Sequence, residues 1–279
     1  MNIKPSGKIL RIAATAALLA PGVQAFAAAS ASDTAANYVG TWSATPANLG
    51  SGFGPWANQV VNNNNPPYAG TYLDQTSYGN SDGVLSSGYA WGTYANSPTT
   101  VSPEMILSRS FTAGPSGSTS LYNQTFSIGL GSSGIGGAGS SLSLNIGSAF
   151  DLAYAGGGAD NFTFGVDGGT ASAIPVTYAN LNGGLEVALA VSGGLNSLTE
   201  AYTLTLSPFA GGLPFYTTSG TFDSMDYNTS SFSVVDNNTS NNAFVNNPNI
   251  TAEAVPEPAA LALLGMSGIG ALVAFRRRK

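Results

Sequence analysis

The residue types that carry most enzymatic chemistry are missing from this chain. Its 279 residues include no His and no Cys, and Lys occurs only as Lys4, Lys8 and Lys279. Imidazole general-base catalysis, thiol nucleophiles, Schiff bases within the body and zinc sites built on His or Cys are therefore closed. Carboxylate, hydroxyl or calcium chemistry remains, or binding without chemistry. Between Ala28 and Ala254 thirteen acidic residues stand against one basic residue, Arg109, a net charge of −12. Nucleic acid is excluded as a partner, because phosphate affinity rests on Lys and Arg.

Glycoside hydrolysis needs two carboxylates flanking one bond. Glu104, Glu186 and Glu200 each stand alone, and the strand pattern Glu-x-Asp-x-Glu is absent. Gly40-Thr41-Trp42-Ser43-Ala44 resembles the first strand of some secreted esterases, but without His a serine there has no base. The expectation is that the protein is not an enzyme. Calcium takes oxygen ligands only, and Asp223 with Asp226, and Asp160-Asn161 with Asp167, are the best local clusters. Neither has EF-hand spacing, and acids in turns ordinarily cap backbone amides. No cofactor is expected beyond a structural calcium of unassigned ligands. Trp42, Trp56 and Trp91, with Tyr68, Tyr72, Tyr78, Tyr89 and Tyr94, make the first third aromatic-rich. Such side chains stack on sugars at wet surfaces, and equally fill the core of a β domain. The three tryptophans are the candidate carbohydrate-binding residues.

The elements that must position these groups are strands. Charged residues are 8% of the chain against about 25% in ordinary soluble proteins, yet hydrophobic residues reach 43%, enough for a core. From about residue 84 the pattern alternates in period two. Phe126, Ile128 and Leu130 share a strand face, as do Leu142, Leu144 and Ile146, and then Phe162, Phe164 and Val166 before the turn Asp167-Gly168-Gly169. Leu185, Val187, Leu189 and Val191 form one arm of a hairpin, with Glu186 facing out. Leu198, Tyr202, Leu204 and Leu206 form the other. Further short strands are expected at Gly88–Tyr94, Glu104–Phe111, Ser219–Phe222 and Ser231–Val235. Leu49 to Asn80 reads as irregular, and Asn237 to Asn249 as a polar lead into the tail.

Both ends read as addresses. Lys4, Lys8 and Arg11 precede the apolar run Ile12–Ala20. A Pro21-Gly22 break and Ala25-Phe26-Ala27 follow, with small residues where signal peptidase reads. At the other end Val255-Pro256-Glu257-Pro258 precedes the uncharged run Ala259–Phe275 and the basic cluster Arg276, Arg277, Arg278 and Lys279. Seventeen residues at ~1.5 Å per residue give about 25 Å, a short membrane span, and the terminal cations stay cytoplasmic by the positive-inside rule.

This C-terminal order resembles the PEP-CTERM sorting signal. The resemblance rests on Pro256, Glu257 and Pro258, the short apolar helix and the basic cluster. It implies recognition by exosortase, removal of the tail near the Pro-Glu-Pro motif, and an exported surface or matrix protein of bacteria that make extracellular polysaccharide. The stretch from Ser108-Arg109-Ser110-Phe111 to Tyr202-Thr203-Leu204-Thr205-Leu206 is similar to concanavalin-like or laminin-G-like jelly rolls. The expected fold class is all-β: an antiparallel β-sandwich of jelly-roll type with an N-terminal signal helix and a short C-terminal transmembrane helix. The expected divisions are a signal peptide at 1–27, a sandwich domain at 28–236, a polar linker at 237–254, and a sorting signal at 255–279. The expected partners are signal peptidase, exosortase, the inner membrane before processing, and extracellular polysaccharide. The expected role is structural or adhesive at the cell surface. A lectin-like carbohydrate-binding module is the alternative, and a carboxylate-dependent hydrolase the third reading.

Overall fold

The structure is a computed structural model describing residues 30–254 apart from 44–47, 62–68, 76–82, 86, 97–102, 114–120, 134, 136–137, 158–160, 194–196, 229 and 238–240. The expected signal helix over 1–27 with Ala25 and Ala27, the motif residues Pro256, Glu257 and Pro258, the expected span 259–275 and the tail Arg276–Lys279 lie outside the described residues. Among the described residues no helix is long and apolar enough to cross a membrane.

The body is two antiparallel sheets. The strands in chain order are β1 (Ser30–Ser32), β2 (Phe53–Val61), β3 (Ala69–Gln75), β4 (Tyr89–Ala95), β5 (Glu104–Phe111), β6 (Tyr122–Ser133), β7 (Ser141–Ile146) and β8 (Phe150–Ala155). They continue as β9 (Asn161–Val166), β10 (Ser172–Thr177), β11 (Leu185–Gly193), β12 (Thr199–Pro208), β13 (Tyr216–Asp223), β14 (Ser231–Asn237) and β15 (Asn241–Ala254). A 3-10 turn (Ala35–Tyr38) and two short helices, α1 (Tyr178–Asn182) and α2 (Ser224–Asn228), punctuate them. One sheet runs β13-β12-β11-β6-β15-β4-β3, with β1 on the far half of β15; the other runs β10-β9-β8-β7-β14-β5-β2.

Alternation in the sequence sets the packing between them. Ile128 of β6 lies opposite Val187 of β11, and Phe126 opposite Leu189, all buried. From the facing sheet come Leu142, Leu144 and Ile146, then Phe232 and Val234. Phe126 stacks on Phe111 at 5.5 Å between centroids. A fully buried Leu or Phe contributes roughly 1.5–3 kcal/mol relative to exposure, so these alternating rows hold the sandwich shut. The Asp167-Gly168-Gly169 turn takes the left-handed conformation at Asp167 (φ 52°) and Gly168 (φ 65°), which permits the tight β9–β10 reversal.

Three expectations need correcting. The segment 241–254, expected as part of a polar linker, is β15, and it lies inside the sheet between β6 and β4. Its Phe244, Val245 and Ile250 are buried, and Asn246 is tied on every side. The Asn246 amide donates to the carbonyls of Val84 (2.9 Å) and Tyr89 (2.6 Å), and its oxygen accepts from the Ala35 N–H (3.1 Å). Residues 49–80, expected as irregular, contain β2 and β3. Leu198 does not join the inward row of β12: it is 71% exposed, and Glu200 takes the inward place.

Candidate functional site

Two of the three candidate tryptophans are core. Trp91 is 0% exposed and Trp56 5%, and their rings pack 4.7 Å apart. Trp56 also meets Phe232 edge-on at 5.5 Å. Their inward positions on β4 and β2 place them between the sheets, where no ligand reaches, so the carbohydrate-binding assignment fails for both. Trp42 differs. It packs edge-on against Tyr38 (5.5 Å) and Trp56 (6.2 Å), yet is only half-buried and lines a groove.

That groove, of about 770 Å³, lies where the two sheets end side by side, at β3 and β2. Asn58 and Val60 line it from β2, Met105 from β5, Thr71 and Leu73 from the inward face of β3, and Trp42 from the preceding loop. A hydrogen bond from Asn58 Nδ2 to Thr71 Oγ1 at 3.2 Å links the two edge strands beneath it. The groove wraps round β3, because Tyr72 and Tyr94 line it from the other face of the same sheet. Glycine makes room for these rings. A Cβ on Gly92 would sit 2.5 Å from the Tyr72 ring, and one on Gly70 2.7 Å from the Tyr94 hydroxyl. The two rings lie 6.3 Å apart at 45°, each half-buried. No charged residue is among the described residues that line the groove.

The wall of the groove hangs on the one cation of the body. Met105, Leu107, Arg109 and Phe111 share the inward face of β5, so Arg109 lies inside the sandwich, 1% exposed. It pairs with the Asp33 carboxylate, donates to the Asn48 side chain, and gives Nε–H to the Gly54 carbonyl at 2.6 Å. Its guanidinium also lies over the Phe53 and Trp56 rings at 4.9 and 5.0 Å. Asp33 in turn accepts from the Tyr38 hydroxyl (2.7 Å) and the Asn37 amide (2.9 Å). This network pins the 33–54 segment, and with it Trp42, to β5. The solitary Arg at an inward alternating position was the sequence signal for it, and the reading of the acids passed over it.

Of the other acids, Asp74 is fully buried on β3 itself, next to the groove-lining Leu73 and Gln75. Glu200 is buried at the start of β12, accepts from the Tyr122 hydroxyl at 2.6 Å, and has its carboxyl raised above the ordinary range by burial. Tyr227 is raised chiefly by burial and then by Glu200. Asp236 is fully buried in β14, accepts from Thr93 Oγ1 at 3.2 Å, and is raised well above the usual carboxylate value by burial. Glu104 and Glu186 lie half-buried on separate strands of different sheets. Of the calcium candidates, Asp223 accepts from the Met225 N–H and Asp167 from the Asp223 N–H, both at 2.9 Å, so these act as turn caps. Asp160 lies outside the described residues. Among the described residues no three acids converge on a point where a metal ion would sit.

Comparison with known proteins adds an address. Residues 254–279 match the PEP-CTERM protein-sorting motif, the signature of an exported protein that exosortase sorts and that is held in a membrane before processing. No curated protein matches the chain. Among solved structures it is similar to lectin UEA-II complexed with galactose, at 10% identity, covering 66% of this chain and 92% of that one, TM-score 0.35. The CBM2 module of the evolved Dit of Lactobacillus casei BL23 phage J-1 matches at 14% identity, 71% and 96% coverage, TM-score 0.35. A GH131 β-glucanase catalytic domain from Podospora anserina matches at 13% identity, 57% and 71% coverage, TM-score 0.34. At these scores the neighbours, lectins and a glucanase alike, carry no argument about ligand or activity.

Proposed function

We propose that this exported, exosortase-sorted protein is a non-catalytic adhesive component of the cell surface or extracellular matrix, and that it holds uncharged polysaccharide in the groove beside β3. One observation carries the reading. The groove presents Trp42, Tyr72 and Tyr94 beside hydroxyl and amide groups, with no charge among its described lining residues. Aromatic faces take the apolar faces of sugar rings, while Thr71, Gln75 and Ser43 offer hydrogen-bonding partners for sugar hydroxyls. A hydrolase would need two carboxyls facing one bond; Glu200 and Asp236 lie inside the sandwich, and Asp74 on β3 is fully buried, with no acid among the described residues that line the groove. A net negative body also favours neutral over anionic polymer at long range.

The test is binding of the processed protein to neutral and to uronic-acid-bearing fractions of the host's extracellular polysaccharide. Saturable binding to the neutral fraction is the expected result. Binding confined to the anionic fraction, or release of reducing ends from either, would overturn the proposal.

A further inference from the structure

The chain enters and leaves the sandwich at one end. Ser30 pairs with Thr251, so β1 begins where β15 finishes. β15 runs until Ala254, level with Tyr122 and hence with Gly193 at the end of β11. The same end carries the β11–β12 connection and α2, where the protein exposes two large apolar side chains, Leu198 (71%) and Met225 (59%). Their loops are tied together: the Ser224 N–H donates to the Leu198 carbonyl (3.0 Å), and the Ser224 hydroxyl to the Ser197 carbonyl (3.2 Å).

The tether from this end is short. Only Val255 to Pro258 separate the last residue of β15 from the apolar run that begins at Ala259. Five residue steps at ~3.3–3.6 Å span about 17 Å at most. A headgroup layer is roughly 5–7 Å thick on each side of the hydrocarbon. With Ala259 at the hydrocarbon boundary, the end of the sandwich is held within about 10–12 Å of the headgroup surface.

From this geometry we propose that the end bearing Leu198 and Met225 is a membrane-facing surface, and that the bilayer holding the sorting segment takes these two side chains at its interface. The occupant is lipid, because the sorting segment enters the bilayer directly after this end and a tether this short makes the headgroup surface its nearest neighbour. Asp223 and Glu253, exposed at the same end, remain in the hydrated layer. The contact is thus two apolar tips at the interface rather than a buried face. The groove strand β3 lies level with the other half of β15: Ala69 pairs with Ala95, and Ala95 with Asn241. Along β6, eight residue steps from Leu130 (opposite Val245) to Tyr122 (opposite Ala254) put about 26 Å between groove and membrane end. The precursor therefore presents its groove outward before it is processed.

The inference rests on the membrane-held sorting segment, and the test separates the two. Because the chain has no Cys, single variants Leu198→Cys, Leu213→Cys and Leu264→Cys of the full chain each take one environment-sensitive fluorophore. The labelled proteins are placed in phosphatidylethanolamine–phosphatidylglycerol vesicles containing interfacially spin-labelled lipid. Leu213 is the control, since it is 87% exposed and belongs to the opposite end of β12. The expected result is strong quenching at 264, and several-fold more quenching at 198 than at 213. Quenching at 264 with equal signals at 198 and 213, or a stronger one at 213, would overturn the membrane-facing end alone. No quenching at 264 would overturn the membrane-held reading and this inference with it.

Discussion

The two long edges of this sandwich are built from the same architecture and end in opposite ways. At the β10–β13 edge aromatic side chains plug the gap between the sheets: Tyr202 meets Phe150 at 5.2 Å and Phe164 at 5.9 Å, and Phe222 packs on Phe150 at 4.8 Å. Pro175 and a register break between Ala173 and Thr177 blunt β10, a recognised protection of an edge strand. At the β2–β3 edge the large rings, Trp56 and Trp91, sit deeper, and side chains such as Asn58, Val60, Thr71 and Leu73 line the rim without filling it. The Asn58–Thr71 hydrogen bond and the loop carrying Trp42 span it. Closure by apolar wedges leaves no space, whereas closure by polar groups and a pinned loop leaves a groove. The open edge is therefore where function is to be sought.

The largest expected effect comes from ending the chain at Asn237. β4 reaches the rest of its sheet through β15, and β3 through β4, so this truncation detaches the open edge entirely. Near-ultraviolet circular dichroism should show no native tertiary signal, and a native spectrum would contradict the central place of β15. Next comes Arg109→Ala, which leaves the Asp33 carboxylate buried without its cation. Breaking one partner of such a buried pair costs about 3–5 kcal/mol, to be read as a shifted midpoint in urea unfolding. Loss below about 1 kcal/mol, the scale of an exposed pair, would mean that the network does not hold the 33–54 wall.

A third effect is in pH. Burial raises the Asp236 carboxyl well above its ordinary 3.8, partly opposed by hydrogen bonds from Thr93 and the Ala243 backbone. Burial also raises Glu200 and Asp151. A carboxyl raised on folding holds its proton more tightly in the native state. Its contribution is then fully present below its unfolded value near 4, falls as pH climbs toward the folded value, and levels off above it. The melting temperature should accordingly rise on mild acidification from neutral pH, and Asp236→Asn should make that slope shallower. An unchanged slope in the variant would assign the effect to other groups. The smallest effect separates the edges directly. Gly92→Ala forces the Tyr72 ring to move from a 2.5 Å approach and should weaken polysaccharide binding with little loss of stability. Ser219→Ala on β13 removes the exposed hydroxyl pair with Thr203 (2.9 Å) and should leave binding as it was.

The same two edges explain what the sequence disclosed. Glu200 apart, the β11–β12 hairpin alternates large apolar with small or polar residues, buried on one face only, so its period is readable in the sequence. β2 contains Gly54 and Pro55 and shifts register between Phe53 and Trp56, which breaks the period. β15 carries Asn at 241, 242, 246, 247 and 249 and reads as a linker. It is a strand because it is covered on both faces and because the Asn246 amide bonds the distant backbone of Ala35, Val84 and Tyr89, a long-range arrangement that local composition cannot express. Leu198 shows where alternation stops: it precedes β12, which begins at Thr199, and within the strand the same alternation puts Glu200 on the inward face with Leu204 and Leu206. Residue type separated neither Trp42 from Trp56 nor Trp56 from Trp91. Trp56 and Trp91 are buried because they face inward on β2 and β4, whereas Trp42 lies in the loop before β2 and is half-buried at the groove.

Titration of the processed protein and its Tyr94→Ala variant with the neutral polysaccharide of the host, followed by calorimetry, tests the central claim most directly. Tyr94 is half-buried over Gly70 at the groove and away from the sandwich core, so the variant should keep its fold. The account predicts saturable binding by the wild-type protein, and at least about tenfold weaker binding by the variant, the loss of one sugar–aromatic contact worth ~1.4 kcal/mol. Equal binding by the two proteins would contradict it and place any adhesive surface elsewhere on the molecule.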